Sequence, residues 1–299
     1  MDKELTGYLY KIDWNTGLVE KKLPIPIDTG NPLFGGRGLC YYNGILYVAT
    51  AMSILKYDMD LDYQGEITNK KLAGLHEIFV EEDDIWCTST LHDMVLKIDF
   101  DGNTLYEWQL NESPELMDRL KLTKRKLNFD MKFPGQEFRE GFQDYARDEK
   151  LHLNTVFPHN GNIYILACKK SALIKIYTGK AGVMFRDRAL SSPHNSIITE
   201  DGEVLINDTG NQRVRIYGLD TGKCLKSIDT SIYNNGKSEQ FAIAGWQRGM
   251  ARLNKNRYLI GTSPATIFEL DIITGKIVNK VELSSDVKHC IHGLEAVKL

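Results

Sequence analysis

The chain has no excess of either charge. Its 37 Lys and Arg stand against 40 Asp and Glu, which leaves a formal net charge of -3 and a pI of 6.2. Nucleic-acid binders ordinarily show a basic surplus, so nucleic acid is not expected as a partner. The longest basic cluster, Lys121 to Lys126, lies among acids and reads as a solvated helix face. Long hydrophobic runs are also missing. None approaches the ~18 apolar residues of a membrane helix, so no membrane association is expected. The first residues, Met1-Asp2-Lys3-Glu4-Leu5, are charged and lack the apolar centre of a secretory leader. Cysteine is scarce: Cys40, Cys87, Cys168, Cys224 and Cys290 are odd in number, widely spaced and form no Cys-x-x-Cys. Buried reduced thiols in a cytoplasmic protein are the simplest account. Helical crossovers between strands are absent too, which argues against an α/β fold.

What is present is a repeat. Short strand patterns recur in groups of four with a period of about 40 residues, a spacing that marks repeat architectures. The plan is clearest from Ser192 to Tyr217, where a strand, a Glu-Asp-Gly turn, a second strand, a polar loop and a third strand follow one another. Similar units begin at Arg37, His76, His152 and Arg248, and Asn43-Gly44 and Asn160-Gly161 supply hairpin turns of the primed type. Two strands at residues 8–25 and one at residues 292–297 would complete a sixth unit from both chain ends, which removes an open sheet edge. The expectation is an all-β fold, a six-bladed β-propeller forming one domain over residues 1–299. Residues 111–150 break the period. Leu116, Leu120, Leu127 and Met131 have helical spacing, and a second helix is expected at Phe138 to Tyr145. This insertion reads as a lid over the propeller mouth, or as a brace on its rim.

Aligning the first strands puts Arg37, His76, His152, His194, Arg248 and His292 at one position, the head of each unit. The chain has seven His, and four of them fall here. In a propeller the first strand lines the central channel, so these side chains are expected to form a ring at one depth. Imidazoles from separate blades suit a divalent transition metal such as Zn, Fe or Mn. Arg37 and Arg248 would then hold a carboxylate, sulfate or phosphate of a small anionic substrate. The other reading is a wet channel whose lining bonds to water and backbone. His92, in the loop after the second strand of its unit, is a further candidate for contact with substrate, and Lys169 or Lys170 for the anion. His159 reads as structural, His289 as a rim residue, and Asp208 as a loop-fixing acid.

The run Asp208-Thr209-Gly210-Asn211-Gln212-Arg213-Val214-Arg215-Ile216 resembles the signature of NHL repeats, which implies a six-bladed propeller. Ser192-Pro193-His194-Asn195-Ser196-Ile197 is similar to the His-bearing inner strand of the peptidylglycine amidating lyases. That resemblance implies Zn held by one His from each of three blades, with an Arg near the substrate. His194 would be one ligand and His76, His152 and His292 the candidates for the others. Oligogalacturonate lyases and carotenoid oxygenases also place His clusters on a propeller axis, so the arrangement serves several chemistries. The expected function is a metal-dependent lyase or hydrolase, with a non-haem iron oxygenase second. The alternative is a non-catalytic NHL-type scaffold for a protein or carbohydrate partner.

Overall fold

A computed structural model describes residues 7–25, 35–130, 145, 147–177, 179–232, 238–239 and 242–298. The chain forms two compact units, Met1–Val156 with Gly179–Ala181, and Phe157–Thr178 with Gly182–Leu299.

The first unit holds two four-stranded antiparallel sheets, each in sequence order. One runs Leu39–Tyr42, Ile45–Ala49, Ser53–Tyr57 and Tyr63–Thr68; the other Leu75–Glu81, Asp84–Ser89, Met94–Asp99 and Thr104–Gln109. Tyr8–Asp13 and Leu18–Pro24 form a separate two-stranded sheet. The second unit holds His194–Ile198, Glu203–Asp208, Arg213–Gly218 and Cys224–Asp229, then Met250–Arg252, Arg257–Thr262, Thr266–Asp271 and Lys276–Glu282. The boundary between the units passes through a fifth sheet of the same kind, Leu153–His159, Asn162–Ala167, Ala172–Tyr177 and Lys180–Arg186.

Alternation explains each sheet. Cross-strand pairs such as Ile163 with Ile176 and Ile165 with Ile174 place apolar side chains on one face. Ile54, Leu72, Ile85, Met94 and Leu96 are buried completely in the first unit, and Val214, Tyr258, Ile260 and Phe268 in the second. Each such side chain contributes about 1.5–3 kcal/mol. Fourth strands are the exposed edges, with Leu105, Leu225 and Val278 open to solvent. The predicted Asn-Gly turns form, with Asn43 at φ 48° and Asn160 at φ 49°.

Among the described residues there are five four-stranded sheets, not six. The N-terminal pair of strands forms as expected, but residues 292–297 are not a strand. The reason is local. Ile291 and Leu294 lie where side chains at Gly249 and Gly261 would otherwise stand, and the Ile291 amide donates to the Thr262 carbonyl at 3.2 Å. The C-terminal stretch therefore packs onto the last sheet through glycine gaps. A Cβ at 261 would meet the Arg248 carbonyl oxygen at 2.4 Å. Gly261→Ala is expected to cost about 1–3 kcal/mol through overpacking, read as a lower urea midpoint at unchanged slope.

The described residues of the insertion are also less helical than their spacing suggests. One short helix, Pro114–Leu120, buries Leu116, Met117 and Leu120, and ends where Lys121 turns left-handed at φ 53°. Lys121 to Lys126 is therefore not a helix face. Met131 and most of the expected second helix lie outside the described residues. The thiols are free but not all buried: Cys87 is, Cys40 and Cys168 are half-buried, and Cys224 and Cys290 are exposed. No helix among the described residues is long and apolar enough to cross a membrane.

Candidate functional site

The head residues sit where strand pairing is irregular. Ladder register shifts between Leu75 and Ile78, around His76, and between His194 and Ser196. His152 precedes its strand in the left-handed region, at φ 52°. Arg37 and Arg248 each stand two residues ahead of a strand. Irregular pairing of this kind re-aims a side chain.

In the first unit three heads adjoin. Arg37 Nη1 lies 3.3 Å from His76 Nδ1 and donates to the Leu75 carbonyl at 2.9 Å. The His76 and His152 rings meet edge to face, with centroids 4.7 Å apart. His152 Nδ1 is 2.5 Å from Glu149 Oε1, and Glu149 is itself buried.

In the second unit His194 and Arg248 share a wall. Trp246 meets the His194 ring edge to face at 6.1 Å, and the Arg248 guanidinium lies 5.7 Å from the centre of the same indole. Arg248 forms no ion pair with a carboxylate among the described residues, and its Nε is closed off from solvent without a hydrogen-bond acceptor. A polar companion is the Cys290 thiol. Burial pulls the Arg248 pKa below the ordinary arginine value, with the nearby thiols Cys290 and Cys168 opposing. Position is fixed through the next residue: the Gly249 amide donates to Asn195 Oδ1 at 2.7 Å, and Asn207 Nδ2 donates to the Gly249 carbonyl at 3.2 Å.

His76 and His194 share one device. Each ring presents Nδ1 to the carbonyl two residues back, Gly74 at 3.0 Å and Ser192 at 2.8 Å. Each also meets a threonine hydroxyl, Thr90 at 3.0 Å and Thr209 at 3.1 Å. Each hydroxyl spends its own proton on a further carbonyl, Leu153 at 2.6 Å or Gln247 at 2.8 Å. The threonine oxygen is therefore an acceptor toward the ring. For His194, whose Nδ1 meets only these acceptors, the proton sits on Nδ1 and the lone pair on Nε2. Thr209→Val leaves that ring hydrogen with one acceptor fewer. About 1–2 kcal/mol of stability should be lost, and ¹⁵N NMR of the His194 ring should show the Nε2-protonated form appearing.

His92 is elsewhere. It is buried beneath the insertion between Phe129 and Tyr145, with Nδ1 3.1 Å from the Lys71 carbonyl and Nε2 3.2 Å from the Asn128 carbonyl. Burial lowers its pKa, although both carbonyls favour a proton. The next residue, Asp93, is fully buried and accepts from the Lys150 and Leu151 amides at 2.8 Å each and from Arg125 at 3.2 Å. Lys170 and Lys169 occupy a short turn, Cys168–Lys170. Asp208 fixes its loop as expected, accepting from the Ser191 amide at 2.7 Å and from Arg215 at 2.6 Å. His292 is half-buried in the C-terminal stretch.

Among the described residues no group of three or more His, Cys, Asp or Glu is arranged to hold a metal ion. His76 and His152 belong to the first unit, His194 and His292 to the second. No chemistry is derived through a metal at these residues.

Glu149, Trp246, Thr90 and Thr209 are not apparent from the sequence pattern. The threonines do carry a signal, since each opens the turn that follows the second strand of its unit.

Neither a protein-family model nor a curated protein matches the sequence. Solved structures do. A protein of unknown function from Bacteroides caccae is similar over 97% of this chain and 94% of its own, with TM-score 0.62 and 10% identity. A structure of the nidogen/laminin complex gives 0.60 at 12% identity over 97% and 95%. A catalytically inactive histidine-to-alanine variant of virginiamycin B lyase from Staphylococcus aureus, solved with quinupristin, gives 0.53 at 11% identity over 93% and 74%. These likenesses show the fold: the chain is an all-β protein of the β-propeller class. They do not reach the amidating-lyase subgroup.

Proposed function

We propose that the protein is a lyase-type enzyme acting on a small anionic organic molecule held beside Arg248 and His194. One observation carries this reading: Arg248 is a guanidinium with no carboxylate in ion-pair range among the described residues. A charge drawn out of water without a counter-ion is costly. An anionic substrate supplies the missing partner through two parallel N–H donors. Trp246 gives that anion a flat apolar wall shared with His194.

The chemistry follows from the rings. An imidazole whose Nδ1 proton is committed to a backbone carbonyl presents Nε2 as a base. Nε2 takes a proton from the carbon next to the substrate's carboxylate. The C–H pair becomes the second bond of a new C=C. The bond to the leaving group breaks, and the leaving group departs with the electron pair of that broken bond. The imidazolium then returns its proton to the departing atom. Virginiamycin B lyase, one of the structural neighbours, is inactive when a histidine is replaced by alanine. The likeness extends to the fold alone, and the reading stands on the residues of this chain.

The test has two arms. Thermal shift with sulfate, phosphate and small mono- and dicarboxylates should raise Tm for at least one anion. Incubation with β-substituted carboxylates should then produce the absorbance of a conjugated double bond. Anion binding without elimination would favour hydrolysis. Neither effect would leave the scaffold reading in its place.

A further inference from the structure

We propose that His92 is a proton-operated clasp: as a neutral ring it holds residues 125–130 and Tyr145 against the second sheet of the first unit, and its protonation releases them. This role lies outside the lyase reading and does not depend on it.

The ring touches both partners of the contact. His92 ends the short turn Thr90–His92, which follows the second strand of its sheet, and it is only 2% exposed. Nε2 lies 3.2 Å from the Asn128 carbonyl, which can only accept, so Nε2 carries the proton. Nδ1 lies 3.0 Å from the Ser89 hydroxyl and 3.1 Å from the Lys71 carbonyl. In the neutral ring Nδ1 is an acceptor, and of these two only the hydroxyl can donate to it. Phe129 and Tyr145 pack on the ring edge to face, at 4.9 and 5.7 Å. The Asn128 amide donates to the Tyr145 hydroxyl at 3.3 Å, so one imidazole gathers both stretches.

A charged ring fits this place poorly. A cation stands behind each aromatic neighbour: the Arg125 guanidinium lies 4.4 Å from the centre of the Tyr145 ring, and Lys71 Nζ lies 5.8 Å from the centre of Phe129. The carboxylates of the region are committed elsewhere. Asp93 accepts from Arg125 and from the Lys150 and Leu151 amides. Glu107 is paired with Lys71, and Asp148 with Lys150 and Arg125. Tyr145 is kept neutral by burial. An imidazolium would also force Ser89 to turn its hydrogen to the Lys71 carbonyl, 2.6 Å away. The two carbonyls do favour a proton on His92, but loss of hydration outweighs them and Arg125 adds to it.

The sign follows. Burial holds the His92 pKa below its ordinary value of 6.5, to which the ring returns once water reaches it. The clasp is therefore complete above the ordinary value and is lost as pH falls through the folded one. Asp93 is shifted the other way by burial, so its contribution is lost as pH rises and it does not drive a release in acid.

Hydrogen exchange on the full-length protein, corrected for the intrinsic pH dependence of exchange, is the test. Between about pH 7.5 and 5, opening of residues 125–130 should increase by up to about tenfold per pH unit, the slope of one proton. Unchanged protection over that range would overturn the clasp, and so would an equal loss in the strand Arg257–Thr262, which would make the opening global. His92→Gln keeps a neutral hydrogen-bonding side chain at every pH, so protection in that variant should no longer depend on acid. Acid release that persists in His92→Gln would remove His92 as its cause. If the variant does not hold the segment at neutral pH, NMR of ¹⁵N-labelled histidine in the wild type decides. A ring that is neutral and Nε2-protonated at neutral pH, and that takes up its second proton as protection falls, supports the clasp. A ring already charged at neutral pH, or still neutral after residues 125–130 have opened, overturns it.

Discussion

Arg248→Gln should do two things that rarely go together: raise the stability of the ligand-free protein and abolish its response to anions. The half-buried guanidinium lies beside a thiol and an indole, with its Nε closed off from solvent. Exchanging a half-buried charge that has no carboxylate partner for a neutral side chain of similar reach is expected to gain about 1 kcal/mol. In the presence of the anion the balance reverses. Removing one member of a desolvated, hydrogen-bonded charge pair typically costs about 2–5 kcal/mol, or about 30- to 4,000-fold in affinity. Urea unfolding with and without the best anion from the thermal-shift panel reads both signs at once. Arg248→Lys is the sharper control. It keeps the charge and loses the planar pair of donors, so affinity should fall while the stability gain does not appear. If Gln at 248 lowers stability without anion, the arginine is structural and the proposed site is lost.

The second large effect lies at the insertion. Arg125→Met should destabilise the protein by about 3–5 kcal/mol, because it leaves the Asp93 carboxylate buried without its cation. Both side chains are almost sealed, at 1% and 0% exposure. Arg125 also donates to the Tyr145 carbonyl at 3.0 Å and lies 4.4 Å from the centre of the Tyr145 ring. The substitution thus loosens residues 110–130, Tyr145 and residues 147–151 together. Burial holds the Asp93 carboxyl above the usual carboxylate range, against the pull of the Lys150 and Leu151 amides and Arg125. A carboxyl raised in this way contributes stability that is complete below its unfolded pKa and lost as pH rises through its folded value. In Arg125→Met the cation's opposing pull is gone. That variant should therefore recover stability as pH falls through the carboxylate range, where Asp93 becomes neutral. Adding Asp93→Asn should recover much of the loss at neutral pH. A loss of under about 1 kcal/mol would show that the pair is worth no more than a surface contact.

How much of this is legible in the sequence depends on what sets each feature. Strand positions are readable because apolar alternation and Asn-Gly turns are local properties. Ile163, Ile165 and Val204 fall on strands, as pattern alone indicates. The C-terminal stretch reads as a strand yet joins no ladder among the described residues. It fills gaps left by Gly249 and Gly261, and a glycine gap on another strand has no local signature. The described part of the insertion forms less helix than its pattern suggests, because Leu127 has helical spacing yet lies beyond the turn at Lys121. The six head residues are identifiable from the repeat, but their partners are not. Glu149 is three residues from His152 in an irregular segment, and Trp246 is 52 positions from His194. Nothing in either local sequence says that a carboxylate or an indole will turn inward. Within the first unit His76 and His152 adjoin, and within the second His194 and Arg248 share Trp246.

The placing of the heads at breaks in the ladder has a wider meaning. Where the register is already interrupted, a residue can be exchanged for one of quite different size and charge without disturbing the sheet behind it. His at one blade and Arg at another are then variations permitted by the same local freedom. The scaffold keeps its hydrophobic grammar within the strands and leaves its chemical vocabulary to the irregular positions in front of them, so new reactivity can be written there while the fold stays as it is.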